Sequence, residues 1–510
     1  MSGAIGKGES VKRTMLAACG VAFAVGVALL GPSRAAPVSY PAPHPTVSDY
    51  RFLSAATPTE ADCEAVGRTC FTPQAIQSAY NLGPVYAEGL NGRGMTIAIV
   101  DSYGSDTMAH DLHVFDQAFG LQPMCGEEDV PCTAGMPKFS ELAINGTPQT
   151  KAQPGQGTHL EDKAAWALEV ALDVETSHAI APMANILLVH TNNAETLGVQ
   201  GFPNMMKAED YVVTHHLANV ISQSFASSED AFGSKQSLLN LRYAYKDAQE
   251  NGVTVLGSSG DDGSTNFTKS PVASGGSLIP HPAVEWPASD PLVTGVGGTY
   301  LCTDPLATTD QPRTADPMPG LGAKCGNAYN TAGAAEVAWT FSGGGFSDAF
   351  SRPDYQAGTL PSGSTPIPAS SRGVPDIAFQ ASAATGALVY LSLPPDGNDS
   401  NVGQTGWYDI GGTSLSCPQW AGLVAIADQL NGGGLGLINP ALYKLGADPA
   451  KYAADFFDIQ QTGDATHVND NQEDPSISGY PVTPGWDPVT GLGTPNAANL
   501  IPDLVDAANS

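Results

Sequence analysis

From Phe71 onward, short apolar runs alternate with longer helical ones. Met95–Val100, Ala184–Val189, Ala218–Ser222, Val253–Leu256 and Pro291–Val296 contain no charged residue. A strand buried on both faces reads this way, as a near-continuous apolar run. Between and after them, Lys163–Glu175, Leu238–Glu250 and Gln419–Leu430 read as helices. Strands alternating with helices predict crossover units, hence an α/β fold with a parallel sheet and helices on both faces. In such sheets the chemistry sits in loops at the carboxyl ends of the strands. No internal repeat is evident.

The N-terminus follows a different pattern. Lys7, Lys12 and Arg13 precede an apolar run from Met15 to Leu30, and Gly31-Pro32 and Ser33-Arg34-Ala35 follow. The run is short for a membrane span and ends in small residues, which predicts an export signal over residues 1–35 cleaved near Ala35. An uncleaved anchor is the alternative. Leu16–Cys19 resembles a lipoprotein box, but the apolar stretch before it is too short. Residues 36 to about 60 are rich in Pro, Ser and Ala and read as an extended arm. The whole stretch 36–71 is too short to fold as a prodomain by itself.

Composition narrows the partners. The chain has 510 residues, of which 42% are hydrophobic, so a sizeable core is available. Asp and Glu number 51 against 21 Lys and Arg, a net charge of −30. That excludes nucleic acid and anionic membranes, which need a basic footprint, and it suits acid surroundings. Of 8 Cys, one leaves with the signal. Cys63 with Cys70, Cys125 with Cys132, and Cys302 with Cys325 read as local disulfides of an exported protein. Cys417 is left as a buried thiol.

Candidate chemistry centres on Gly411-Gly412-Thr413-Ser414-Leu415-Ser416-Cys417-Pro418. A Ser on a tight turn at a helix N-terminus meets positive dipole and unused backbone N–H groups, which suits a nucleophile whose product is an oxyanion. A plain helix-capping Ser reads the same way. A nucleophilic Ser needs a base, and no histidine presents itself. His178 and His190 flank a strand, His215 and His216 fall in a polar helix, His44 and His467 in loops, and His159 lacks a helix start after it. Instead Trp166–Asp173 places Glu169 and Asp173 four apart, on one face of an otherwise apolar helix. Two carboxylates there are costly to bury without a role. A solvated helix face is the competing reading. Ser258–Gly263 adds Asp261 between glycines at a strand end. Val100–Gly104 resembles the Asp segment of subtilisins, but without a matching His segment Asp101 reads as structural.

Together these residues resemble the sedolisin family of serine-carboxyl peptidases, relatives of subtilisin. The resemblance covers nearly all of 72–508. It runs through Glu169-x-x-x-Asp173, His178–Pro182, Ser258–Asp261, Trp286–Ser289, Val296–Thr299, Ser342–Ser347, Val374–Ala378 and Gly412-Thr413-Ser414-x-x-x-Pro418. It implies a subtilisin-like fold with Ser414 as nucleophile, Glu169 as general base, Asp173 as the residue orienting Glu169, and Asp261 as the side-chain half of an oxyanion hole. It also implies one structural calcium ion, held by Asp458, Ile459, Thr483, Gly485 and Asp487, an all-oxygen set of the kind calcium prefers. The segment after Asp458-Ile459 is one residue longer than the family pattern. Ser222-Gln223-Ser224-Phe225-Ala226 replaces the usual Ser-x-Ser-Trp-Gly of the substrate-lining strand, and the usual long prodomain has no counterpart. The expectation is a secreted, monomeric, acid-active endopeptidase over 72–510, acting on protein or peptide substrates through an acyl-enzyme on Ser414. The alternatives are a neutral subtilisin-like peptidase using Asp101 and a His, and an inactive binding homologue.

Overall fold

The structure is a computed structural model that describes residues 44–45, 49–144, 160–191, 201–268, 277–302, 336–392, 404–461 and 469–510. The expected signal over 1–35, His159, His467 and Cys325 lie outside them. The described residues belong to one compact unit, Val38–Ser510.

The central sheet has eight strands: β1 Thr96–Ser102, β2 Phe139–Ile144, β3 Asn185–Thr191, β4 Val220–Gln223, β5 Thr254–Ser258, β6 Thr294–Leu301, β7 Glu336–Ala338 and β8 Ile377–Gln380. Their order is β7-β6-β5-β4-β1-β3-β2, with β8 also paired to β6. Every pairing is parallel except β6 with β7. Four of the predicted runs coincide with β1, β3, β4 and β5. The run at Pro291–Val296 does not: the strand starts at Thr294 and continues to Leu301. Gly295, Gly297 and Gly298 dilute the apolar signal there, although every residue of the strand is buried.

Alternation along the strands explains the layering. Ile97 and Ile99 of β1 face one core, shared with α1 (Leu160–Ile180) and α4 (Thr413–Asn431). Ala98 and Val100 face the other, shared with α2 (Gly201–Thr214) and α3 (Tyr243–Asn251). Both faces of the sheet are therefore covered, which is why its strands are apolar throughout.

The helix predicted at Leu238–Glu250 is two helices, Lys235–Leu239 and α3. Ser234 caps the first by accepting from the Ser237 N–H, a local signal stronger than the apolar spacing. His215 and His216 fall just beyond α2, and His216 has a φ of 52°, outside any helix. The arm is less loose than its composition suggests. Asp49–Ser54 pairs antiparallel with the strand Gly406–Gly411, and His44–Pro45 with the strand Phe225–Ser228. Cys63–Cys70 and Cys125–Cys132 are disulfides, Cys302 is disulfide-bonded as well, and Cys417 is a buried free thiol.

Candidate active site

Ser414 sits in the first turn of α4, directly after the strand Gly406–Gly411. The turn depends on Gly412, whose φ of 141° is open only to a residue without a Cβ. The helix is anchored beneath the sheet: Ser416 Oγ donates to the carbonyls of Phe379 and Gln380, and Trp420 Nε1 to that of Ala378. Ser414 is thereby fixed at the carboxyl ends of the strands, where the sequence places the chemistry.

The α1 carboxylates arrive at the same point. Glu169 and Asp173 are fully buried. Burial, then the charge of Asp173, then that of Asp101, push the Glu169 carboxyl far above the usual range. The Ser414 hydroxyl faces Glu169 and draws it back down. Their contact falls outside ordinary hydrogen-bond geometry, as is common before a substrate closes a site. Asp173 Oδ1 accepts from Ser224 Oγ at 2.8 Å. No hydrogen bond links Glu169 to Asp173, so the two communicate through charge alone.

Asp261 lies in the turn after β5. Its Oδ1 accepts from the Thr413 N–H at 2.7 Å and from Thr413 Oγ1 at 2.8 Å. Thr413 Oγ1 in turn accepts from the Gly260 N–H at 3.1 Å. Asp261 Oδ2 is buried and bonded to nothing. Burial raises Asp261 to about 8 against the pull of the two Thr413 bonds. An acid with one oxygen held and the other unbonded is set up to carry a proton and donate it.

One position reads differently from the sequence alone, while Cys417 and His178 read as the sequence had them. Asp101, taken as structural, is buried beside the pair and raises both Glu169 and Asp173. Its signal was present in the subtilisin-like segment but was tied to a His partner, and among the described residues neither Asp101 oxygen has a hydrogen-bond partner. Cys417 is inert, its thiol pushed up to about 12 by burial. His178 is a core residue, its Nε2 donating to the Gln122 carbonyl at 2.9 Å and pairing with Asp116 at 3.1 Å.

The two carboxylates expected to hold calcium, Asp458 and Asp487, lie near each other. Asp458 accepts from the Gly485 N–H at 3.0 Å and from Gln460 Nε2 at 2.6 Å. Asp487 accepts from the N–H groups of Val489, Thr490 and Thr483. Asp487 is raised to about 7, first by burial and also by the charge of Asp458. Among the described residues no Lys or Arg pairs with either carboxylate. Two converging, partly desolvated carboxylates without a cation fit a hard, oxygen-seeking ion. Ile459 packs with Val482, Val489 and Ala338, so the loop has more apolar support than its sequence suggests. A separate exposed grouping, Asp230, His281 and Asp348, brings ligand atoms within 4.8 Å. Two of its members are already an ion pair, His281 with Asp230 at 2.9 Å.

A parallel α/β sheet with a Ser at a helix mouth and buried carboxylates around it is the architecture of a subtilisin-like hydrolase. No family model matches the chain. Kumamolisin from Bacillus sp. (strain MN-32) is 29% identical over 451 residues, 88% of this chain and 66% of that protein. Tripeptidyl-peptidase 1 from Bos taurus is 30% identical over 303 residues, 57% of this chain and 44% of that protein. The chain thus spans about two thirds of the length of the first and under half of the second. Among solved structures, Pseudomonas sedolisin, a serine-carboxyl proteinase in complex with pseudo-iodotyrostatin, superposes with a TM-score of 0.57 at 23% identity. The match covers 85% of this chain and 98% of that one, and shows the fold. The chain is similar in sequence to members of the sedolisin family of serine-carboxyl peptidases and shares their fold.

Proposed function

We propose that the protein hydrolyses peptide bonds in acid, through an acyl-enzyme on Ser414. The observation that carries this is the placement of Ser414 between a buried carboxylate pair and the carboxyl of Asp261, with no His near it among the described residues. With Asp173 and Asp101 protonated, their charges no longer oppose ionisation of Glu169, and the Glu169 carboxylate accepts the Ser414 proton as Oγ attacks the substrate carbonyl. Charge then develops on the carbonyl oxygen. Asp261 donates a hydrogen bond to it from the protonated Oδ2, beside the N–H groups of the α4 N-terminus. Glu169 returns the proton to the leaving amine, and water reverses the sequence to free the acid product. Asp173, held by Ser224, carries a proton of its own and so keeps a second charge away from Glu169.

The strand Phe225–Ser228 follows Ser224, and its edge accepts the extended segment His44–Pro45 antiparallel. A substrate in extended form fits that edge. Asp458 and Asp487, with the carbonyls of Ile459, Thr483 and Gly485, would hold one calcium ion, which supplies structural charge and no catalytic step. Export of the chain by residues 1–35 agrees with its disulfides. Among the described residues no helix is long and apolar enough to cross a membrane.

The test compares wild type with Ser414→Ala on a denatured protein substrate from pH 3 to 8. The reading requires cleavage in acid that vanishes in the variant. Activity that peaks at pH 8, or that survives in Ser414→Ala, sinks it.

A further inference from the structure

Asp261 is ringed by other acids. Asp262 follows it in the same turn and is only partly buried. Glu285 comes from the strand Glu285–Trp286, which pairs with Ser227 and Ser228. Glu285 packs against the backbone of Gly260, the residue before Asp261. A Cβ placed on Gly260 would lie 2.5 Å from Glu285 Oε2 and 2.9 Å from Cδ. With a φ of 108°, Gly260 is doubly restricted to glycine, and that bare backbone is what lets Glu285 come so close. Gly260 is itself pinned, donating to Thr413 Oγ1 and accepting from the Gly343 N–H at 2.8 Å. Glu285 is thus held against a backbone that cannot swing away.

Nothing in the proposed reaction uses Asp262 or Glu285. Their common neighbour is the acid that must stay protonated. We propose that Asp262 and Glu285 are positioning residues for Asp261: they hold its carboxyl in the neutral, hydrogen-donating form as the medium rises toward neutrality. This rests on the reading of Asp261 as an oxyanion donor. The physical basis is like-charge repulsion in a partly desolvated site, where one acid's charge opposes the next proton loss. The acids that face Asp261 are Asp262 in its own turn, Glu285 across Gly260 and Glu169 on α1, with Glu473 beyond Asp262. None of these is a cation. Burial is the larger cause of the raised Asp261, and Asp262 and Glu285 add to it in that order.

The consequence is a wider working range. An acid hydrolase whose oxyanion donor lost its proton near pH 4 would fail in weakly acid media. One whose donor is held neutral keeps working there.

The experiment is the pH profile of kcat on a peptide substrate for wild type, Asp262→Asn, Glu285→Gln, the double variant, Asp261→Asn, and Asp261→Asn combined with Glu285→Gln. Asp262→Asn and Glu285→Gln each move the alkaline limb to lower pH by roughly 0.5 unit, the scale of one nearby charge at a screened site. The double variant moves it further. In the Asp261→Asn background Glu285→Gln moves nothing, because an amide does not titrate. A merely structural role would lower kcat or the melting temperature without shifting the limb. Should Glu285→Gln fail to fold, Asp262→Asn on the partly exposed turn carries the test. Folded single variants that keep the wild-type limb, while Asp261→Asn flattens it, overturn this proposal and leave the oxyanion reading standing. An unchanged limb in Asp261→Asn overturns both.

Discussion

In the proposed reaction Glu169 and Asp173 act on Ser414 as one charged unit, although no hydrogen bond joins them. Removing either leaves the other alone in a buried site with its proton balance changed. Glu169→Ala and Asp173→Ala should each lower kcat by about 10²–10⁴, the range for a positioned proton acceptor. The double variant should be little worse than either single one, since parts of one unit do not add. Losses that multiply would show that the two act separately. The legibility of this site follows from its chemistry. Ser414, Glu169 and Asp173 stand out in the sequence because polar groups amid apolar neighbours are costly to bury. Asp101 escaped because its partners, Glu169 and Asp173, are some seventy residues away along the chain, and only the β1–α1 packing brings them together. Asp262 and Glu285 escaped for the same reason: an Asp-Gly turn and a lone Glu beside Trp286 carry no signal until Gly260 places them around Asp261.

The loop carrying Asp458 and Asp487 tests the account at the level of elements. Its carboxylates converge without a cationic side chain, and its apolar support is limited to Ile459, Val482, Val489 and their neighbours. An ion bound only by the folded chain stabilises it by mass action, by about 2.7 kcal/mol at a hundredfold excess over Kd. Chelator at pH 6 should therefore lower the melting temperature, and Asp487→Ala should erase that response. Identical melting curves with and without chelator would remove the ion. The arm makes a second case. Composition marked it as extended, but pairing is a long-range property, so its partners Gly406–Gly411 and Phe225–Ser228 were not readable. His44–Pro45 occupies the edge proposed for substrate, and a tethered segment would compete there at an effective concentration in the millimolar range. A chain beginning at Asp49 keeps the pairing with Gly406–Gly411 and frees that edge, so KM for a peptide should fall. An unchanged KM would show that substrate does not use it.

At the scale of the whole molecule, several buried acids among the described residues are raised in the same direction. Asp428 is raised to about 8, Glu127 to about 7 and Asp111 to about 6, each chiefly by burial. A carboxyl raised in the folded chain binds its proton more tightly than in the unfolded chain. Its stabilising effect is full below the ordinary carboxylate range near pH 4 and is lost as pH climbs to the folded value. His178 adds to the trend: burial pulls it down, Asp116 and its neighbours lift it above the usual value, and that contribution also fades as pH rises past about 6.5. Between pH 4 and 7.5 the melting temperature should drop by roughly 10 °C, from several kcal/mol at a few degrees each. A melting temperature that rises over that interval would mean the acids are better solvated than their burial indicates. The general plan, a parallel sheet with helices on both faces, was legible because burial on both sides leaves no choice but apolar strands. The strand β6 was mislaid because glycines interrupt its run. The central claim is that Ser414 becomes acylated in acid without a histidine. The direct measurement is acid-quenched mass spectrometry of the enzyme with a slow peptide ester at pH 4. The account predicts one acyl group on the peptide containing Ser414, absent in Ser414→Ala and strongly reduced in Glu169→Ala. Turnover with no adduct on Ser414, or an undiminished adduct in Glu169→Ala, would contradict it.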